Sequence, residues 1–187
     1  MYRLYYGCVS IFKPILAKRL VELFNPKVVL DPCCGWGSRM IGCIAGGVDL
    51  YVGFDTNVEL EPIYQNIISD FNFGEKTRIR ICDCMDIDYN SYEYDMLLTS
   101  PPYFNTEVYN FSQIRSKQDW NDWYKTCITK WFNGLKVGGV LALAIPFNVY
   151  GIAITICGDC DDAWSLGSVK RCKNKFDTEM LFIWIKK

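Results

Sequence analysis

The chain has 187 residues, half of them hydrophobic and 16% aromatic, which is enough for a sizeable core in one domain and too apolar for disorder. Twenty basic residues against 21 acidic ones leave a formal charge of −1, which excludes a polybasic protein but not a local basic patch. There is no histidine, so imidazole bases, His-ligated metals and Ser-His-Asp triads are all excluded.

In chain order, Phe12 to Phe24 carries Ile15, Leu16, Leu20 and Leu23 at helical spacing and stops at Asn25-Pro26, predicting a helix. Val28-Val29-Leu30 predicts a short strand that ends at Asp31-Pro32, before a glycine-rich turn and a helix from Met40 to Ala45. Leu50 to Phe54 is a second strand ending in Asp55, followed by a helix from about Val58 to Phe71. Arg78 to Cys82 is a third strand, again ending in an acid, Asp83. Tyr94 to Thr99 is a fourth and runs into Ser100-Pro101-Pro102-Tyr103. An amphipathic helix from Asp119 to Leu135 and the most apolar strand, Val140 to Ile145, come next. Two last strands, near Trp164 to Cys172 and Glu179 to Ile185, are joined by the basic turn Lys173-Asn174-Lys175. Strands alternating with helices predict an α/β fold: a doubly wound, mostly parallel sheet with helices on both faces and a C-terminal antiparallel hairpin at one edge.

Met1 to Leu20 is broken by Arg3, Lys13, Pro14, Lys18 and Arg19 and has no secretory apolar core. No run approaches the roughly 18 apolar residues of a membrane span. With ten cysteines in a chain of this kind, a reducing intracellular compartment, cytoplasmic or nuclear, is expected, with no membrane association. Cys157 and Cys160 have CxxC spacing, but only Cys172 follows them; they read as buried or incidental thiols, and no metal site is assigned.

In open α/β sheets ligands bind beyond the carboxyl ends of the strands, and Asp31, Asp55, Asp83 and Ser100 sit at four such ends. Asp31-Pro32-Cys33-Cys34-Gly35-Trp36-Gly37 is a strand-to-helix turn that is neither GxGxxG nor a P-loop. An acid beside it favours a cationic or hydroxyl-bearing ligand over a pyrophosphate. Asp55 is placed to accept from ribose hydroxyls, and Asp83 to read an adenine amino group. Any one such acid is equally a turn former or N-cap. The ordered series fits a nucleoside that carries positive charge and no phosphate, and S-adenosyl-L-methionine is the candidate.

The glycine turn followed by Ser100-Pro101-Pro102-Tyr103 resembles the amino-group DNA methyltransferases, Rossmann-like enzymes that methylate N4 of cytosine or N6 of adenine. Lys13-Pro14 resembles the Lys-Pro element that precedes the glycine turn in some of them, and the likeness runs from about Phe12 to the last strand. The resemblance implies that Asp31, Gly35 and Gly37 hold the methionine part of the cofactor, Asp55 the ribose and Asp83 the adenine. Lys13, Cys33 and Cys84 join this cofactor-binding set, and Ser100, Pro101, Pro102 and Tyr103 form the catalytic pocket. These enzymes usually carry a separate target-recognition region, for which this single domain has no room. A homodimer or a partner subunit supplying recognition is therefore expected.

The tetrapeptide has a physical logic of its own. An exocyclic base amine is a poor nucleophile because its lone pair is conjugated into the ring. Two acceptors on its N–H groups, the Ser100 Oγ and the Pro101 carbonyl, favour a pyramidal nitrogen. The prolines fix φ and hold that carbonyl rigidly, and Tyr103 offers a face for an unstacked base. A cysteine nucleophile of the cytosine-C5 type is not indicated, since Pro-Cys occurs only at Pro32-Cys33. DNA is the expected substrate, with N4-cytosine ahead of N6-adenine by the resemblance of Ser100. An RNA base amine and a non-catalytic cofactor-binding subunit are the alternatives. Phe104, Arg115, Lys117, Lys173 and Lys175, with Lys170 and Arg171, are the candidate nucleic-acid contacts. Lysines that protect a sheet edge explain the hairpin charges equally well. Trp120 and Trp123 read as the buried face of their helix.

Overall fold

A computed structural model of the chain describes residues 11–103, 116–166 and 180–187. Its elements are α1 (Pro14–Phe24), β1 (Val28–Asp31), α2 (Ser38–Gly46), β2 (Leu50–Asp55), α3 (Glu61–Asp70), β3 (Thr77–Ile81), β4 (Met96–Thr99), α4 (Lys117–Gly134), β5 (Val140–Ile145), α5 (Phe147–Cys157), β6 (Asp162–Ser165) and β7 (Met180–Ile185). The seven strands form one sheet in the order β3-β2-β1-β4-β5-β7-β6. β1 to β5 are mutually parallel, and β7 runs antiparallel to both β5 and β6. This is the doubly wound, mostly parallel sheet that the alternating pattern implies, closed by an antiparallel pair at one edge. The strand order reverses between β1 and β4, the switch point where such sheets open a crevice.

β5 reads Val-Leu-Ala-Leu-Ala-Ile and is buried throughout, because helices cover both faces of the sheet. Its alternate side chains enter opposite layers. Val140, Ala142 and Ala144 pack with α1, α2 and α3 residues such as Leu20, Met40 and Tyr64. Leu141, Leu143 and Ile145 pack with Ile128, Trp131 and Val149 of α4 and α5. Trp120 is buried in this second layer and Trp123 is half-buried against Trp131, as their helical spacing implies.

Local signals set the ends of the helices. Pro14 opens α1 and Asn25 closes it in the left-handed region. Ser116 and Asp119 form a reciprocal capping box at the start of α4. The helix expected from Val58 begins as a one-turn 3-10 segment, Val58–Leu60, and becomes α3 at Glu61. Helices α1 and α2 touch at Gly42, where a Cβ would lie 2.2 Å from the Pro14 carbonyl oxygen and 2.7 Å from the Ala17 Cβ.

Two features differ from the sequence reading. α5 was not anticipated: Val149, Tyr150, Ile152, Ile154 and Ile156 are residues of strand-like propensity, and Gly151 interrupts them. The helix is held by packing at Val149 and Ala153, one turn apart. β6 starts at Asp162, earlier than expected, while the basic turn Lys173-Asn174-Lys175 lies outside the described residues. Among the described residues no helix is long and apolar enough to cross a membrane.

Candidate active site

The carboxyl ends of β1, β2, β3, β4 and β5 form one rim, and Asp31, Asp55, Asp83 and Ser100 lie at the ends of the first four of these strands. At its centre Asp31 ends β1 fully buried. Its carboxylate accepts from Arg39 Nε at 2.7 Å, Arg39 Nη2 at 3.3 Å, the Tyr51 hydroxyl at 2.7 Å, the Thr99 hydroxyl at 2.8 Å and the Cys33 backbone N–H at 3.3 Å. Arg39 is also buried and donates to the Cys33 carbonyl, while the Phe12 ring covers its guanidinium, with the centroid 5.6 Å away. Burial alone pulls the Arg39 pKa down, but the Asp31 charge and its hydrogen bonds outweigh this and hold it above the ordinary value. The structure thus turns the Asp31 side chain into the protein, whereas the sequence reading has it facing a ligand. Its carboxylate organises the glycine turn from beneath.

The turn is held from every side. Cys34 N–H donates to the Phe54 carbonyl at 2.8 Å, and the Tyr64 hydroxyl of α3 donates to the Gly35 carbonyl. The Gly35 N–H donates to Asp55 Oδ2 at 2.8 Å. Gly35 and Gly37 have φ of 55° and 78°, in the left-handed region where a side chain is strained. Among the described residues a Cβ on Gly35 would meet only the Cys33 carbonyl oxygen, 4.0 Å away, so no described side chain fills that face of the turn. Trp36, between the two glycines, is exposed.

Asp55 ends β2 half-buried. Besides Gly35 N–H it accepts from Asn57 N–H at 2.9 Å, and a carboxylate with about four lone-pair positions retains capacity for further donors. Asp83, beyond β3, is exposed and caps the short Cys84–Asp86 turn through Met85 N–H at 2.8 Å. Cys33 lies in the glycine turn and Cys84 in this segment; the neighbouring Cys84 thiol and burial raise the Cys33 pKa, and Cys84 Sγ is 3.9 Å from Cys127 Sγ. Raised in this way, the Cys33 and Cys84 thiols stay protonated and are poor nucleophiles. Lys13 is exposed at the start of α1.

The tetrapeptide leaves β4 beside the glycine turn, since β1 and β4 are paired. Pro101 is buried, and Ser100, Pro102 and Tyr103 are half-buried. The Tyr103 hydroxyl donates to the Ala144 carbonyl of β5 at 3.0 Å and lies 3.3 Å from Ser100 Oγ. Tyr124 of α4 donates to the Pro102 carbonyl. Among the described residues no donor takes the Pro101 carbonyl, the second acceptor of the mechanism outlined above.

Arg39, Tyr51, Tyr64, Thr99 and Tyr124 are the residues that sequence reasoning missed. Arg39 carried a signal: a lone charge in the apolar run Met40-Ile41-Gly42-Cys43-Ile44 and its flank needs a buried partner. Phe104, Arg115, Lys170, Arg171, Lys173 and Lys175 lie outside the described residues, and Lys117 opens α4 with its side chain undescribed. Cys157 ends α5 with Cys160 just beyond it, and the Tyr150 hydroxyl is 3.5 Å from Cys160 Sγ. Among the described residues no group of three or more Cys, Asp or Glu is placed to hold a metal ion.

No protein-family model and no curated protein matches the sequence. Solved structures do. TrmN from Thermus thermophilus superposes with a TM-score of 0.69 at 17% identity, over 99% of this chain and 51% of that one. An rRNA methylase from Streptococcus thermophilus gives a TM-score of 0.65 at 16% identity, over 96% of this chain and 100% of that one. SMU.472, solved in complex with SAH, gives 0.68 at 13% identity, over 100% of this chain and 56% of that one. The chain thus spans about half the length of TrmN. At these identities the likeness shows the fold, a Rossmann-like sheet of the kind that carries methyltransferases.

Proposed function

We propose that the chain is an S-adenosyl-L-methionine-dependent methyltransferase that acts on an exocyclic amino group of a nucleic-acid base. The observation that carries this reading is that Ser100-Pro101-Pro102-Tyr103 and the Gly35-Trp36-Gly37 turn follow paired strands, β4 and β1, at the switch point of the sheet. The donor set fits the cofactor: an open turn at Gly35 for its methionine end, the half-buried Asp55 for its ribose, and Asp83 on the neighbouring strand end for its adenine. SMU.472, of the same fold, binds SAH, the demethylated form of that cofactor. When bound, the cofactor supplies an electrophilic methyl group on a sulfonium. The protein's part is to present the amine: Ser100 Oγ and the Pro101 carbonyl accept its two N–H groups, and the Tyr103 ring stacks on the unstacked base.

DNA is the substrate that the tetrapeptide's resemblance favours, with N4 of cytosine ahead of N6 of adenine. RNA is the second reading, supported by a fold neighbour that is itself an rRNA methylase. Target recognition comes from a second copy or a partner subunit. The test incubates the full chain with S-adenosyl-L-methionine and unmodified duplex DNA or structured RNA, and analyses the digested nucleosides by mass spectrometry. N4-methylcytosine in DNA is expected. Methyladenine overturns the base assignment, methylation confined to RNA overturns the choice of nucleic acid, and cofactor binding with no methylated nucleoside overturns the proposed activity.

A further inference from the structure

We infer that the Tyr103 hydroxyl is a positioning group that holds the Ser100 proton away from the substrate, so that Ser100 Oγ meets the base amine with lone pairs only. This rests on the base-amine reading above and goes beyond the stacking role given to the ring. A serine hydroxyl has one proton and two lone pairs and rotates freely, so by itself it is an ambiguous partner for an N–H. If its proton points at the amine, it opposes the contact it should make. The surroundings remove this ambiguity. The register Thr99↔Leu143 places Ser100 alongside Ala144, where β4 has ended and β5 continues. The Ala144 carbonyl can only accept, so the Tyr103 hydroxyl, 3.0 Å away, spends its single proton there. Tyr103 Oη then meets Ser100 Oγ, 3.3 Å away, as an acceptor. The Ser100 proton goes to Tyr103, and both serine lone pairs are left for an incoming N–H. A carboxylate at position 100 has no proton to be misdirected and would need no such device.

The test is steady-state and single-turnover methyl transfer to the oligonucleotide that wild type methylates, using the full chain. Tyr103→Phe keeps the ring and removes the hydroxyl. Expected is a fall in kcat of about tenfold, the size of one lost oriented hydrogen bond, with KM and cofactor affinity within about twofold. In a Ser100→Ala background the same change should cost less than about twofold, because there is no longer a hydroxyl to orient. Unchanged kcat in Tyr103→Phe, or penalties that multiply fully in the double variant, overturn the inference while the methyltransferase reading stands. Wild type that methylates no base overturns both. Should Tyr103→Phe melt well below wild type, 3-fluorotyrosine at position 103 replaces it. That residue keeps the hydroxyl and weakens it as an acceptor, and kcat should again fall; an unchanged kcat overturns the inference.

Discussion

Replacing Asp31 with asparagine tests whether the centre of the site is an ion pair or a ligand contact. Arg39 is 5% exposed and Asp31 is fully buried, so the variant leaves a guanidinium in the core without a counter-charge. Breaking a buried pair from one side costs about 3–5 kcal/mol, because the remaining charge cannot be rehydrated in place. The asparagine amide also turns an N–H₂ toward a cluster of donors: Arg39 Nε and Nη2, the Tyr51 and Thr99 hydroxyls and Cys33 N–H. For a domain of this size each kcal/mol lowers the melting temperature by roughly 2–4 °C, so a fall of about 6–20 °C is expected. Circular dichroism melts and urea titrations measure it. Replacing both partners with apolar residues, Asp31→Leu with Arg39→Met, should recover only part of the loss, since no buried charge is then stranded but the Tyr51 and Thr99 hydroxyls lose their acceptor. A variant Asp31→Asn that melts within a degree or two of wild type yet loses cofactor affinity would falsify the structural role and return Asp31 to the ligand.

Three further outcomes are expected. Asp55→Ala removes two acceptors from the turn and, by the proposal, two ribose contacts worth roughly 1.5–3 kcal/mol each, so calorimetry should show affinity for S-adenosyl-L-methionine weaker by about a hundredfold or more; unchanged affinity in a folded variant removes Asp55 from the site. Gly42→Ala places a Cβ 2.2 Å from the Pro14 carbonyl oxygen, and denaturant unfolding should report a loss of about 1–3 kcal/mol despite alanine's better helix propensity; a neutral result contradicts the close α1–α2 contact. Burial tends to raise the Asp95 pKa, but the Val28 and Lys27 backbone N–H groups and Lys136 outweigh it and hold the carboxyl below its ordinary value. Its contribution to stability is complete above that ordinary value, about 3.9, and is lost as pH falls through the lower folded value. The stability gap between wild type and Asp95→Asn should therefore be present at pH 6 and close in strong acid, and a gap that persists there refutes the linkage.

The parts of this fold that the sequence makes legible are those with local causes. β5 is continuous in apolar residues because both its faces are covered, and its bounds are read directly from the run Val140 to Ile145. The strand-end acids and the Gly35-Trp36-Gly37 turn are equally local, since each follows a short β-branched or apolar segment. α5 is not legible in this way, because only its packing on the sheet outweighs the strand propensity of its isoleucines. Nor are the partnerships that complete the site. Tyr103 with Ala144 and Tyr124 with Pro102 join residues 41 and 22 positions apart. The direction of Asp31 was in principle within reach. Alternation along β1 puts Asp31 on the face of Val29, which packs toward α1 and α2, and α2 carries Arg39, the only buried arginine among the described residues.

The three strand-end carboxylates differ because their strands do. β1 lies inside the sheet, β2 beside it and β3 at the edge, and the acids that follow them are buried, half-buried and exposed in the same order. A carboxylate at the end of a central strand is roofed by helices from both layers, so it persists only with a buried cation and a full set of donors. Arg39, Tyr51 and Thr99 supply them for Asp31. At the edge Asp83 is exposed, and among the described residues its carboxylate accepts only the capping N–H of Met85. Asp55 lies between these limits. It is fixed by Gly35 and Asn57 yet still half-open, which combines preorganisation with access. Under the proposed function, that combination makes Asp55, more than Asp31, the acid that would grip the cofactor.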